Sequence, residues 1–325
     1  MMLSTSFHVV LVAVAMTLRK GFAVFLPRQH VQNGRIPSTS KGDAPRPNIL
    51  FILLDDAGWS DLGFNTEDKT ASIGVATPKI DALAATGVVL KRYYVHSTCS
   101  PTRSAIQSGR APVHVNVHNA GTVHNLKDPI GGFAGIPRNM TSIAEVLRGA
   151  GYKTHMVGKW DVGMATPDHT PAGRGYDSSL VYFHHTNDLW NFNSEEMCKS
   201  KDGHHISVKD LWHHDSDETS FPGEAARSFV NDDACRRTSK LEDIERMGGR
   251  CQYEEELFSD RVAHLITRHQ KRNGADPFFI FWATRGMHGH FEAPPEPIRT
   301  QQLLNQASFE KYYTSIRQRR WGMLT

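Results

Sequence analysis

The stretch that most restricts how this chain can fold is PNILFILLDDAGWSDLG, which begins at Pro47. Its apolar run from Ile49 to Leu54 is unbroken, so a strand there must be covered on both faces, the condition of an inner strand in a parallel sheet. Asp55 and Asp56 then stand at that strand's carboxyl end, the edge at which open α/β sheets bind their ligands. Three later stretches share one grammar, a helix followed by a strand. In TPKIDALAATGVVLKRYYV, Thr77 is placed to cap a helix and Pro78 suits its first turn. Ile80, Leu83 and Ala84 share a face, and Gly87 closes the helix ahead of a second strand. SIAEVLRGAGYKTHMVGKW predicts a helix over about 141–148 and a strand around 154–157, and LFSDRVAHLITRHQ followed by PFFIFWAT repeats the pattern. The expectation is an α/β domain with a mostly parallel central sheet.

With 325 residues, 39% of them hydrophobic, the chain can bury a large core. Its net charge of +3 comes from nearly balanced acidic and basic residues, so net charge implies no nucleic-acid or membrane-surface partner, and none is expected. The 18 histidines would raise that charge steeply below about pH 6.5, as suits an acidic compartment. FHVVLVAVAMTL, residues 7–18, is an apolar run of leader length and too short to span a bilayer as a helix. Residues 1–23 are therefore read as a signal peptide or anchor, 24–46 as a disordered linker, and 47–325 as the catalytic domain. Within it, about 184–250 reads as a polar insertion lying as loop over the sheet's edge. The insertion holds histidine doublets at 184/185, 204/205 and 213/214, which read as solvated loop residues ahead of metal ligands. Asn139-Met140-Thr141 is a glycosylation sequon. If Cys99 is used chemically, Cys198, Cys235 and Cys251 can form at most one bridge.

Cys99 opens CSPTRSAIQSGR, with Pro101 and Arg103 at fixed offsets and no neighbour that would make it a redox pair. The strand-end aspartates, CSPTR and then Gly158-Lys159-Trp160, in this order, make the chain resemble a type I sulfatase, nearest in character to the arylsulfatase B branch. TPKIDALAATGV, RGYDS at 174–178 and PFFIFWATRGMH at 277–288 carry the same resemblance, which runs from about Pro47 to Tyr313. It implies an alkaline-phosphatase-like α/β/α sandwich and a sulfuric ester hydrolase of the secretory pathway. It also implies that a formylglycine-generating enzyme oxidises Cys99 to formylglycine, whose hydrate offers one hydroxyl to attack sulfur and a second to expel the sulfate. Calcium would be held by Asp55, Asp56 and the modified Cys99, as an anionic ester and a deprotonating hydroxyl require. Arg103 would hold the diol, Lys159 would offset charge on the transferring group, and His288 would protonate the leaving oxygen. The substrate implied is a sulfate ester, either an aryl sulfate or a sulfated glycan.

Two departures qualify this. Position 161, where the family has histidine after Gly-Lys-Trp, is Asp161, which can accept a proton but as a carboxylate cannot donate a hydrogen bond to an anion. Asp161 is therefore a candidate base, with His169 in TPDHTP a candidate to stand in spatially for the missing histidine. His290, where the family often has proline, receives no role. Second, after FEKYYTSI at 309–316 the sequence leaves the family, and its later Asp-Asn metal pair and lysine have no counterpart. The expectation is a domain incomplete at its C-terminus and a sheet missing an inner strand, with an exposed apolar edge. Two alternatives accompany the sulfatase reading. One is a phosphoester or phosphonate hydrolase on the same sheet, and the other is a non-catalytic binder of sulfated glycans.

Overall fold

A computed structural model describes residues 9–15, 46–58, 61–65, 77–116, 135–190, 192–199, 202, 205–216, 253–271 and 276–289. The strands of its main sheet are β1 (Val9–Ala15), β2 (Asn48–Leu54), β3 (Lys153–Lys159), β4 (Ser178–Tyr182), β7 (Trp212–Asp215) and β8 (Phe278–Thr284). They lie in the order β1-β2-β8-β3-β4-β7, and every pairing is parallel except that of β4 with β7. β5 (Asn193–Lys199) and β6 (His205–Lys209) form a separate antiparallel pair. The helices are α1 (Pro78–Thr86), α2 (Cys99–Ser108), α3 (Pro112–Val115), α4 (Ile143–Gly149) and α5 (Glu254–Lys271).

Alternation along the inner strands splits the core in two. Phe51, Leu53, Met156, Phe279 and Phe281 pack beneath α2 and α4, with Phe51 and Phe281 stacked at 4.6 Å between ring centres. Phe278, Ile280, Val157 and Leu180 face the other way, against Leu257, Phe258, Val262 and Leu265 of α5. Helices on both faces of a mostly parallel sheet make the expected α/β/α sandwich, and both faces of the inner strands are buried because both are covered.

The helix starts differ in how they are held. Ser142 caps α4 in a full capping box: its hydroxyl accepts from the Glu145 N–H at 3.1 Å, and Glu145 Oε2 accepts from the Ser142 N–H at 2.6 Å. Thr77 does not cap α1 by its side chain. It donates to Asp81 Oδ1 at 2.6 Å and accepts from the Gly63 N–H at 2.8 Å, tying the 61–65 turn to the helix. The strand expected after Gly87 does not form. Apart from a single bridge residue at Tyr93, residues 88–96 are irregular, with Lys91 and Arg92 in an exposed turn, Tyr94 67% exposed, and only Val89 and Val95 packed against the core.

The region read as polar insertion is partly core. Leu189, Phe192 and Leu211 are fully buried, and β7 extends the main sheet; 217–250 lies outside the described residues. Cys235 and Cys251 lie outside them as well. Within the leader-length run, Val9–Ala15 forms β1, whose seven residues pair with β2 throughout. The same apolar, β-branched residues suit either role.

Gly158 marks where the sheet is tightest. Its φ is +95°, and a Cβ there would meet the Ala283 carbonyl oxygen of β8 at 2.1 Å. Gly158→Ala is expected to cost more than about 2 kcal/mol through left-handed backbone strain and overpacking. A urea midpoint equal to that of the parent protein would contradict this.

Candidate active site

Because β2, β8, β3 and β4 run parallel, their carboxyl ends deliver Asp55, Arg285, Lys159 and Tyr182 to one edge of the sheet. β8 lies between β2 and β3, so the chain reverses its course across the sheet beside this edge, the place where such sheets open a crevice. α2 starts there, with Cys99 as its first residue and Thr98 as the extended N-cap.

The centre of the site is the Asp55 carboxylate. Lys159 Nζ donates to its Oδ2 at 2.8 Å, Arg103 Nη2 lies 3.4 Å from the same oxygen, and Cys99 Sγ lies 3.5 Å from Oδ1. All four residues are buried. Burial alone would raise the Asp55 carboxyl, but the charges of Lys159, Arg103 and His288 outweigh it and hold the group well below the usual carboxylate range. Lys159 keeps its proton for the reciprocal reason: burial would strip it, and Asp55 raises it more. Arg103 also donates to the Lys159 carbonyl at 2.8 Å, which binds α2 to the end of β3.

Cys99 is a poor thiol nucleophile in this setting. Burial pushes its thiol up to about 11; Lys159 and Arg103 pull against that, and Asp55 adds to it. At neutral pH the sulfur stays protonated, and the thiolate is the reactive form.

His288 follows the end of β8. Its Nε2 is 3.7 Å from Asp56 Oδ2, and ligand atoms of His288, Asp55 and Cys99 lie within 4.8 Å of one another. Burial and then the Lys159 charge push its ring below the ordinary imidazole range, against Asp55 and Asp56. Asp56 has φ +59° and a side chain 44% exposed, so the two adjacent aspartates differ: one is sunk among cations and the other is open beside the imidazole. As a donor set for a divalent ion, the carboxylates of Asp55, held ionised by its neighbouring cations, and of Asp56 fit a hard cation that prefers oxygen ligands.

Asp161, also at positive φ (+54°) and fully buried, joins the same network. Ser100 Oγ donates to its Oδ1 at 3.1 Å, His185 Nδ1 lies 3.0 Å from Oδ2, and Lys159 Nζ is 3.9 Å from Oδ2. Neither Ser100 nor His185 stood out in the sequence. The only signal for His185 was a doublet that read as solvated loop. Of His169, the candidate stand-in for the missing histidine, Nδ1 pairs with Thr166 Oγ1 at 2.9 Å, and the carbonyl accepts from the Trp160 indole at 3.0 Å. His290 lies outside the described residues. Of the RGYDS motif, Arg174 is structural, donating to the carbonyls of Met140 at 2.8 Å and Pro137 at 2.7 Å, and to that of Ile136.

Comparison with known proteins identifies the chain's relatives. Residues 47–319 match the protein family described as Sulfatase. Arylsulfatase G of Mus musculus is 30% identical over 287 residues, covering 84% of this chain and 47% of its own length. N-acetylgalactosamine-6-sulfatase of Sus scrofa is 37% identical over 137 residues, 41% of this chain and 25% of its own. Among solved structures, the PsFucS1 sulfatase from Pseudoalteromonas sp. superposes with a TM-score of 0.56 at 22% identity, covering 86% of this chain and 50% of that one, a likeness of fold. The chain thus spans less than half the length of these two curated relatives.

Proposed function

Since the chain belongs to the sulfatase family, we propose that it hydrolyses sulfate esters at the carboxyl edge of its sheet, with residue 99 as the nucleophile position. One observation carries this reading: Cys99 sits on Asp55 between two buried cations, Lys159 and Arg103, in a setting that keeps its sulfur protonated. Such a site suits an anionic ester and an oxygen nucleophile, and it suits a thiolate poorly. Conversion of Cys99 to formylglycine would supply that oxygen as the hydroxyl of a hydrated aldehyde. Asp55 and Asp56 would hold a calcium ion, which supplies positive charge for the ester's oxygens.

The remaining steps fall to side chains of this chain. Lys159 and Arg103, already charged, offer N–H donors where negative charge grows on the transferring group. His288, a half-buried ring between Asp56 and Asp55, is placed to pass a proton to the leaving oxygen. The reading also routes the chain through the secretory pathway, where the modification is made. Its supports are the apolar run at 7–18 and the exposed Asn139 of the sequon. A sulfated glycan is the substrate class we favour, by analogy with the N-acetylgalactosamine-6-sulfatase relative.

The test is direct. The protein, produced in a host that makes formylglycine, is given an aryl sulfate, the matching aryl phosphate and a sulfated glycosaminoglycan, with calcium present. Sulfate release in preference to phosphate release is expected. Phosphate release alone would favour the phosphoester hydrolase reading. Glycan binding without either release, with an unmodified Cys99, would favour a non-catalytic binder.

A further inference from the structure

Sulfatase chemistry needs a group that takes the proton from the attacking hydroxyl, and at position 161 this chain offers a carboxylate. Both oxygens of that carboxylate are already engaged: Oδ1 accepts from Ser100, and Oδ2 faces His185 at 3.0 Å and Lys159 at 3.9 Å. With both oxygens turned to donors already in place, this carboxylate is better arranged to orient a neighbouring ring than to receive the hydroxyl itself. His185 is in the opposite condition. A carboxylate beside Nδ1 favours the tautomer with the proton on Nδ1, which leaves the lone pair on Nε2. That Nε2 is buried and has no hydrogen-bond partner among the described residues. A buried polar atom without a partner is costly and calls for an explanation. The His184 ring packs edge-on against it at 5.5 Å between ring centres.

We propose that the proton acceptor of this site is His185 Nε2, and that Asp161 is its positioning residue, a histidine–aspartate pair built across the ends of β4 and β3. The inference rests on the sulfate-ester reading above. In the step it describes, the attacking oxygen bonds to sulfur, its proton passes to His185 Nε2, and the bond from sulfur to the ester oxygen breaks. That oxygen leaves with a proton from His288. The family's histidine is thus replaced by one from a different loop, held in register by the residue that displaced it.

Two measurements test it. Protein labelled with nitrogen-15 in its histidines, observed at alkaline pH, should show His185 with its proton on Nδ1. The signal is assigned by its disappearance in His185→Gln, and in Asp161→Asn the proton should move toward Nε2. This readout needs no turnover. Second, His185→Gln should lower kcat on an aryl sulfate by about 10²- to 10⁴-fold, with KM and the melting temperature little changed. His185→Ala should regain part of its rate with added imidazole, and Asp161→Asn combined with His185→Gln should be no slower than His185→Gln alone. Wild-type turnover in His185→Gln, or a proton on Nε2 in the parent protein, would overturn the proposal. If the parent releases no sulfate at all, the sulfatase reading fails and the proton-transfer role fails with it. A proton on Nδ1 would then mark a structural pair only.

Discussion

Cys99→Ser protein is expected to take up sulfate once and stop. The hydroxyl of serine can attack sulfur in place of one hydroxyl of the hydrated aldehyde, but it has no second hydroxyl to expel the sulfate. Turnover should fall by at least about 10⁴-fold, and the intact mass of the variant should rise by one sulfate after incubation with substrate. The fold should survive, because Cys99 contributes only a small buried side chain at the start of α2 and serine fits its volume. In the parent protein, a tryptic peptide from this region should carry an aldehyde in place of the thiol. Sustained turnover by Cys99→Ser, or an unmodified thiol in an active parent, would end the formylglycine reading.

The second large effect concerns stability. Asp55 is the shared anion of Lys159 and Arg103, at 2.8 and 3.4 Å, and all three are buried. Asp55→Ala leaves two cations without it in a dry interior and should cost about 3–5 kcal/mol, the range for breaking a buried pair from one side. Lys159→Met should cost less, because Asp55 keeps Arg103. Denaturant midpoints in a chelating buffer, so that a bound ion does not enter, give the order directly; equal midpoints for Asp55→Ala and the parent would refute it. The pH dependence has a definite sign. Because the folded carboxyl lies below its unfolded range, its contribution is fully present above about pH 4 and is lost as pH falls through that range toward the depressed value. Asp55→Ala should lose that acid-side slope.

Much of this arrangement was legible before folding. The unbroken run Ile49–Leu54 identified an inner strand, and the helix-strand repeats identified an open α/β sheet, because burial on two faces leaves a signature in residue type alone. Chemical spacing marked Cys99, Arg103 and Lys159 as one site by resemblance, and the structure gathers them on Asp55. Where reading failed, the reason was context. VVLKRYYV has strand-forming residues but pairs at no more than a single bridge residue, Tyr93, and leaves Tyr94 in solvent. The segment after 184 looked polar because its buried members, Leu189, Phe192 and Leu211, are widely spaced among histidines and aspartates.

The sequence by itself determined the fold class, the family and the residues gathered around Cys99, because each depends on local pattern or on spacing along the chain. Only the tertiary structure decided which of two adjacent aspartates is buried between cations, and which of 18 histidines meets Asp161. Those outcomes depend on distances between residues up to 104 positions apart, such as Lys159 and Asp55. Proton affinity, charge pairing and tautomer follow from such distances, and a linear order of side chains does not contain them.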